Sequence, residues 1–297
     1  MDWTGVLPAI TTPFHPDLTI DHQFLGKHCN WLLDSGCRGI VALGSLGEGA
    51  TLSPDEKLAI LRTCVTAAHG KGPVVATISS LRTDHAAEFA REAQKAGCEG
   101  LMVLPPYVYR GDWREMKAHV AAILRATPLP AMLYNNPIAY GTDFVPEQIV
   151  ELANEFPHLQ AVKESSADAR RVTAIRALLG NRLAICVGVD DEILEGIGVG
   201  ATGWVAGLVN AFPAESMALF EAGTKGDRGK AEELYRWFLP LLRMDTVPKF
   251  VQLIKLVQQQ VGMGSERVRP PRMELVGRER NETLAAVKQA LATRPTL

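Results

Sequence analysis

Residues 74–104 read VVATISSLRTDHAAEFAREAQKAGCEGLMVL. The apolar run Val74–Ile78 is followed by an amphipathic stretch, a glycine and a second apolar run, Gly100–Leu104. Both runs are apolar on both faces, which is typical of strands covered on two sides in a parallel sheet. The stretch therefore predicts one β-α-β unit.

The same alternation of apolar runs and helical patterns continues along ~225 residues, close to the ~250 typical of a closed (β/α)8 barrel. The other six candidate strands are Val6–Ile10, Gly39–Leu43, Ala131–Tyr134, Leu159–Lys163, Leu183–Val187 and Thr202–Val205. Eight such units predict a (β/α)8, or TIM, barrel of the α/β class. An open doubly wound sheet is the alternative, because periodicity alone does not establish closure.

The rest of the sequence is helical in pattern. One apolar stripe comprises Leu234, Trp237, Phe238, Leu241 and Leu242, and Pro240 is expected to kink or end that helix. A second stripe comprises Val247, Phe250, Val251, Ile254 and Val261. We therefore predict a barrel over residues 1–225 and a helical appendage over residues 226–297.

The composition excludes several classes of protein. Lys and Arg total 31 against 33 Asp and Glu, so the chain lacks the basic surplus of a nucleic-acid-binding protein. No apolar run approaches the ~20 residues that cross a bilayer, and the N-terminus lacks the basic region of a signal peptide. The five cysteines are scattered, without a CxxC pair. We expect a cytoplasmic protein that binds neither nucleic acid nor membrane.

Lys163 is the most informative residue at the strand ends, where barrels of this type carry their active sites. Most other lysines lie among polar residues, whereas Lys163 ends an apolar strand. In the barrel mouth, desolvation would lower the pKa of Lys163, and a neutral amine can attack a carbonyl or cyclic imine to form a Schiff base. The alternative is an ordinary ion pair with a nearby carboxylate such as Glu164.

Other strand ends offer groups for proton transfer and anion binding. Tyr134 could relay protons to a substrate oxygen, particularly if it is hydrogen-bonded to Ser45 and Tyr107. Each of these residues alone is more often a packed side chain. The loop Gly44–Gly49 could hold a carboxylate through its backbone N–H groups, or could simply be a tight turn that needs positive φ.

The sequence predicts no metal ion and no cofactor. Gly198–Gly203 fits GxGxxG but leads into a strand instead of following one, and the histidines form no HExxH motif. Asp190, Asp191 and Glu192 are better explained as acids that cap a helix than as cation ligands.

The strand-end residues together resemble the dihydrodipicolinate synthase/N-acetylneuraminate lyase family. The resemblance extends over nearly the whole chain and rests on four ordered motifs: Gly44–Glu48, Pro106-Tyr107, Tyr134–Pro137 and Val162–Ser165. It implies a class I Schiff-base barrel that acts on 2-oxo acids without a cofactor. It also implies a homotetramer built from tight dimers.

The resemblance assigns roles to individual residues. Lys163 would form the covalent intermediate, Tyr134 would be the proton-relay phenol and Ser45 would supply the relay hydroxyl. Tyr107 matches a tyrosine that reaches into the partner subunit's site. The positions expected to bind substrate are Gly44, Ser45, Leu46 and Gly188, with the amides of Ser45 and Leu46 on its carboxylate.

Two departures from the family pattern bear on the substrate. Dihydrodipicolinate synthases carry a carboxylate-binding arginine where this chain has Ala139, and a threonine where it has Leu46. Loss of a bidentate carboxylate clamp is not a conservative change. The glycine loop and the motif Tyr134-Asn-Asn-Pro-x-x-Tyr140-Gly are most similar to the 1-pyrroline-4-hydroxy-2-carboxylate deaminases. We therefore expect a deaminase of hydroxyproline catabolism that releases 2,5-dioxopentanoate and ammonia.

Three alternatives remain open at this point. The first is a 2-keto-3-deoxy-sugar-acid dehydratase or aldolase on the same scaffold, and the second is a 4-hydroxy-tetrahydrodipicolinate synthase. The third, from another class, is a sensor that binds 2-oxo acids without catalysis.

Overall fold

Eight parallel strands form the centre of the computed structural model, which describes residues 1–297. The strands are β1 (Gly5–Pro8), β2 (Ile40–Ala42), β3 (Val74–Ile78), β4 (Gly100–Val103), β5 (Ala131–Asn135), β6 (Leu159–Glu164), β7 (Ala184–Val187) and β8 (Gly203–Ala206). Each strand pairs with its neighbour in sequence, and β1 pairs with β8. A bridge between Ala9 and Val41 joins β1 to β2. The barrel prediction is confirmed, and the open sheet is wrong.

Twelve α-helices surround and extend the barrel. They are α1 (His22–Asp34), α2 (Pro54–Ala68), α3 (Thr83–Lys95), α4 (Trp113–Ala126), α5 (Pro137–Tyr140), α6 (Pro146–Glu155), α7 (Arg170–Leu179), α8 (Ile193–Gly198), α9 (Pro213–Lys225), α10 (Arg228–Leu242), α11 (Phe250–Gln260) and α12 (Gly277–Ala292). None of them combines the length and the apolar character needed to span a membrane.

The strands are buried almost throughout because helices cover their outer face and side chains fill the barrel. Local sequence signals set the helix boundaries. At α2, the Ser53 hydroxyl accepts a hydrogen bond from the Glu56 backbone at 3.2 Å, and the Glu56 carboxylate accepts one from the Ser53 backbone at 2.8 Å. This capping box precedes Pro54, which suits the first turn because it needs no N–H partner.

The C-terminal helices pack onto the barrel. Helix α10 continues through Pro240 to Leu242 and is followed by a 3-10 turn at Arg243–Thr246, so Pro240 does not end it. The Trp237 indole donates to the Ala290 carbonyl at 3.0 Å and joins α10 to α12. Helix α9 ends at Lys225, and the division of the chain into a barrel and an appendage at that residue stays a prediction.

A buried ion pair connects α11 to the glycine loop after β2. The Lys255 ammonium lies 2.8 Å from a Glu48 carboxylate oxygen, and both side chains are almost fully buried. Lys255 also donates to the Thr12 carbonyl at 2.9 Å, and the Arg269 backbone N–H donates to Glu48 at 2.9 Å. These contacts therefore fix the Gly44–Gly49 loop against residues from the C-terminal part of the chain.

Substitution Lys255→Met should lower the free energy of unfolding by ~3–5 kcal/mol, because it leaves a buried carboxylate without its main counter-charge. The matched control is Lys249→Met, whose ion pair with Glu279 is exposed and should contribute less than ~1 kcal/mol. Urea unfolding of both variants measures the difference. Equal losses in the two variants would contradict the prediction, and adding Glu48→Gln to Lys255→Met should restore part of the stability.

Candidate active site

The Lys163 side chain is buried inside the barrel mouth without a counter-ion. Lys163 is the last residue but one of β6 and is 6% exposed, and its side-chain nitrogen forms no ion pair or hydrogen bond within the chain. Its ammonium nitrogen lies 4.3 Å from the centre of the Tyr134 ring. The carboxylate of Glu164 instead accepts hydrogen bonds from the Asn135 amide at 3.1 Å and the Ser166 backbone at 2.8 Å. The alternative of a Lys163–Glu164 ion pair is therefore wrong.

Burial lowers the pKa of Lys163, because the low-dielectric interior disfavours the charged amine. The negative charges of Asp245 and Asp190 and the Tyr140 phenol act in the opposite direction. The carboxylate of Asp245 lies against Gly207, just after β8. Burial also raises the pKa of the Asp245 carboxyl.

Asp190 does not cap a helix, contrary to the prediction. It begins a 3-10 turn and makes no capping hydrogen bond. Its fully buried carboxylate accepts hydrogen bonds from the Trp204 indole at 2.9 Å and the Leu208 backbone at 2.7 Å. Burial raises its pKa to about 6. Asp190 therefore ties the end of β7 to β8 and places a titratable group near Lys163.

Tyr134 and Lys163 face each other because β5 and β6 pair in that register. The Tyr134 ring is 5% exposed, and burial raises the pKa of its phenol. Asn136 donates to the Tyr134 hydroxyl at 3.0 Å. The phenol is thus protonated at neutral pH and fixed next to the amine.

The hydroxyl that contacts Ser45 belongs to Tyr140, which the sequence reasoning did not single out. The two oxygens are directly hydrogen-bonded. The Tyr140 ring stands at 89° to the Tyr134 ring, with centroids 5.7 Å apart. The sequence contains a pattern that predicts the turn carrying Tyr140. Asn136-Pro137 is typical of a helix start and Gly141 of a helix end, and the structure has a single helical turn between them.

Tyr107 lies beside this cluster without joining its hydrogen bonds. Its ring centroid is 5.7 Å from that of Tyr140, and the rings are tilted by 43°. Tyr107 forms no hydrogen bond within the chain, to Ser45 or to any other residue. Its role in a partner subunit's site stays a prediction.

The loop after β2 contains backbone amides without a hydrogen-bond partner in the chain. The backbone N–H groups of Ser45 and Leu46 donate to no acceptor in the chain, as a carboxylate site requires. The left-handed residues of the turn are Leu43 (φ 67°) and Glu48 (φ 56°) rather than its glycines. Gly49 is needed for another reason, since a Cβ there would overlap the Leu43 carbonyl.

Gly188 lies directly against the Lys163 side chain. A Cβ at this position would be 2.5 Å from Cε and 2.7 Å from Cγ of Lys163. Its backbone N–H donates to the Glu164 carbonyl at 2.9 Å, which fixes the end of β7 beside β6. The absence of a side chain at Gly188 therefore leaves the space that Lys163 occupies.

The sequence of this chain is similar to that of known proteins over nearly its whole length. The Dihydrodipicolinate synthetase family matches residues 2–290. The chain belongs to this family. Its members include the 4-hydroxy-tetrahydrodipicolinate synthase of Chelativorans sp. strain BNC1, which is 33% identical over 237 residues, covering 80% of this chain and 81% of the relative. The same enzyme of Mesorhizobium japonicum is 31% identical over 286 residues, covering 96% and 98%.

Solved structures of the family agree with the fold. The crystal structure of dihydrodipicolinate synthase from Bacillus anthracis superposes with a TM-score of 0.93 at 27% identity and covers 100% of both chains. That from Aquifex aeolicus gives 0.92 at 25% identity, covering 96% of this chain and 97% of the other. The chain is thus an enzyme of the lyase type characteristic of this family.

Substitution Gly188→Ala should slow Schiff-base formation at Lys163 by ~100-fold, because the added methyl displaces the lysine by about an ångström. The measurement is the rate at which cyanoborohydride traps pyruvate on Lys163, followed by intact mass. Gly198→Ala is the matched control, since a Cβ there meets nothing within 4 Å. Unchanged trapping in Gly188→Ala would show that Lys163 does not need this space.

The pH dependence of trapping should report the neutral fraction of Lys163, so the rate rises with pH through the lowered pKa of this amine. Asp245→Asn removes the largest charge that favours the ammonium form. It should therefore lower the pKa of Lys163 further and move the midpoint of the profile to lower pH. Asp168→Asn, which alters an exposed ion pair with Arg170, serves as the control. A midpoint that stays fixed or rises in Asp245→Asn would contradict this assignment.

Proposed function

We propose that this chain is a lysine Schiff-base enzyme that deaminates 1-pyrroline-4-hydroxy-2-carboxylate. The observation that carries the proposal is the buried Lys163 amine, which has no counter-ion and lies 4.3 Å from the Tyr134 ring centre. A neutral amine in that setting is a nucleophile for a C=O or C=N carbon. The adjacent phenols supply the protons that such an addition requires.

The choice of substrate is supported by the number of carboxylate-binding groups. The Ser45 and Leu46 amides offer one anion site. The position of the arginine expected in dihydrodipicolinate synthases holds Ala139, which is exposed on α5 and carries no charge. A substrate with a single carboxylate therefore fits this arrangement better than the synthase reaction does, because the product of that reaction carries two carboxylates.

The proposed reaction begins when the Lys163 amine adds to C2 of the cyclic imine. The C2–N bond of the ring breaks, so that the lysine holds C2 as an iminium and the substrate nitrogen becomes a primary amine on C5. The iminium acidifies C3–H, and loss of this proton expels the C4 hydroxyl as water. Tyr134 and Ser45 move these protons.

Tautomerisation then places an imine at C5, and water hydrolyses it to an aldehyde and ammonia. A second water cleaves the lysine iminium and leaves the C2 ketone. One water is lost and two are consumed, so the net reaction is hydrolysis to 2,5-dioxopentanoate and ammonia. The lysine acts as the electron sink throughout.

A second candidate is 4-hydroxy-tetrahydrodipicolinate synthase. It is favoured by the relatives, because those from Chelativorans and Mesorhizobium carry that name. It would form the same Schiff base with a 2-oxo acid, and it would need another group in place of the arginine that Ala139 replaces. A 2-keto-3-deoxy-sugar-acid dehydratase or aldolase would also share the Schiff base. These candidates therefore differ in product and not in the first covalent step.

The decisive experiment combines trapping with product analysis. Cyanoborohydride should trap the substrate carbon on Lys163, and Lys163→Arg should abolish both the adduct and turnover. Lys57→Arg is the matched control, since Lys57 lies on α2 away from the barrel mouth. Turnover of 1-pyrroline-4-hydroxy-2-carboxylate should release one ammonia for each semialdehyde formed.

The other outcomes assign the alternatives. Condensation of pyruvate with aspartate semialdehyde, without ammonia release from the hydroxylated imine, identifies the synthase. Turnover of a keto-deoxy sugar acid alone identifies the dehydratase or aldolase. Reversible binding of 2-oxo acids without any adduct identifies the sensor. The homotetramer implied by the family resemblance is part of the proposal, and sedimentation velocity measures it.

A further inference from the structure

A carboxyl group from the C-terminal part of the chain lies over the end of β8. It belongs to Asp245, in the 3-10 turn Arg243–Thr246 that follows α10 and packs against residues Asp190–Glu192. A Cβ at Gly207 would overlap the Asp245 carboxylate. Gly207 directly follows β8, so the C-terminal part of the chain contributes an acid to the edge of the barrel mouth.

Strand register places this carboxyl on the side of β8 that faces the inside of the barrel. Lys163 on β6 is level with Cys186 on β7, and Cys186 is level with Gly203 on β8. Side chains alternate along a strand, so Gly207, four residues after Gly203, faces the same way as Lys163. The Asp245 carboxyl therefore takes the place of an inward-facing side chain at the end of β8.

The charge of Asp245 acts on both reacting groups of the mouth. It is the largest charge that favours the ammonium form of Lys163, and it raises the pKa of the Tyr134 phenol. No side chain forms an ion pair or hydrogen bond with Asp245, and Arg243 on the same turn lies 3.5 Å from Asp191 instead. Because burial raises the pKa of Asp245, its carboxyl keeps a proton to higher pH than an exposed one does.

Strand order separates Asp245 from the phenols. β2 and β6 are four strands apart in the ring of eight, so the Gly44–Gly49 loop and Lys163 lie across the mouth from each other. Tyr134 on β5 lies on one side of the line between them, and Asp245 over β8 lies on the other. A substrate that bridges the loop and Lys163 therefore has a phenol on one flank and a carboxyl on the other.

This division suits the substrate of the proposed reaction. Besides its new bond to Lys163, C2 of the cyclic imine carries the C1 carboxylate, C3 and the ring nitrogen. With the carboxylate bound at the Gly44–Gly49 loop, C3 and the nitrogen point to opposite flanks. A phenol beside C3 serves the loss of the C4 hydroxyl, whereas the nitrogen needs an acid before the C2–N bond can break.

We propose that Asp245 is the acid that protonates the ring nitrogen of the cyclic imine and so adapts this site to a nitrogen-containing substrate. This inference rests on the proposed function. A 2-oxo acid has no such nitrogen. Its carbinolamine loses a hydroxyl group, for which the phenols supply the proton. Asp245 therefore distinguishes the opening of a cyclic imine from ordinary Schiff-base formation.

The step balances in protons and electrons. As the Lys163 amine adds to C2, the C=N electron pair moves to the ring nitrogen, which takes the Asp245 proton. The carboxylate then takes a proton from the lysine nitrogen and passes it to the ring nitrogen. The C2–N bond breaks, its electron pair leaves with the amine, and the lysine lone pair forms the iminium. When water cleaves this iminium, the released proton returns to Asp245.

The test is Asp245→Asn, which keeps the shape of the side chain and removes the acid. Turnover of 1-pyrroline-4-hydroxy-2-carboxylate, followed as ammonia release, should fall by ~100-fold, the loss expected for a general acid. Cyanoborohydride trapping of pyruvate on Lys163, compared at a pH above both midpoints, should fall far less because it breaks a C–O bond. Asp191→Asn is the matched control, since that neighbouring carboxylate pairs with Arg243 and not with the mouth.

Two further variants separate this role from a structural one. Asp245→Ala leaves space for a small carboxylic acid, and added formate should restore part of its ammonia release, which a packing defect would not show. Gly207→Ala places a methyl group where the carboxyl lies and should lower ammonia release more than pyruvate trapping. It gives the same test with the acid itself unaltered, should Asp245→Asn unfold.

Normal ammonia release by Asp245→Asn overturns this inference and leaves the proposed function intact. Equal losses of ammonia release and pyruvate trapping in Asp245→Asn and Gly207→Ala, without rescue of Asp245→Ala by formate, assign Asp245 a packing role and also overturn it. If the unaltered enzyme releases no ammonia from the cyclic imine, the proposed function fails and the inference fails with it.

Discussion

The site depends on one constraint, which is that the amino group of Lys163 is removed from water without an ion-pair partner. An unpaired ammonium is expensive to bury, so the neutral amine gains population in the folded state. Asp190 and Asp245 limit this effect by acting at longer range. A directly paired carboxylate would have stabilised the ammonium and removed the nucleophile. The lowered pKa of Lys163 thus depends on the absence of a carboxylate in direct contact with its amine.

Strand pairing keeps Glu164, the acid that follows Lys163 in the sequence, away from the amine. Tyr134 and Lys163 lie opposite each other on β5 and β6, while Glu164, one residue further, points the other way into hydrogen bonds with Asn135 and Ser166. Side chains alternate along a strand, so a single register decides both orientations. Rigid strands hold reacting groups more accurately than loops can. The same pairing that builds the core therefore separates the lysine from its nearest acid.

Much of the fold was predictable because eight apolar runs carry a strong periodic signal, and the structure moved their ends by only one or two residues. Lys163 could be selected because a lysine at the end of such a run is unusual. Tyr140 could not be ranked in the same way, since its contact with Ser45 spans 95 residues and depends on a four-residue helix. Asp190 was misassigned for a similar reason. Its partners lie on and after β8, and a capping rule considers only the adjacent residues.

The ion pair between Glu48 and Lys255 has a consequence for how this chain can be recombined with its relatives. The pair makes α11 part of the support of the Gly44–Gly49 loop, although 207 positions in the sequence separate the two residues. Replacing the residues after α9 with those of a relative would remove Lys255 and leave the buried Glu48 carboxylate without its counter-charge. The replacement would have to supply an equivalent cation. The barrel and the C-terminal helices are consecutive in the sequence, but their stabilities are coupled through the Glu48–Lys255 ion pair. Compatible residues are therefore needed at both positions.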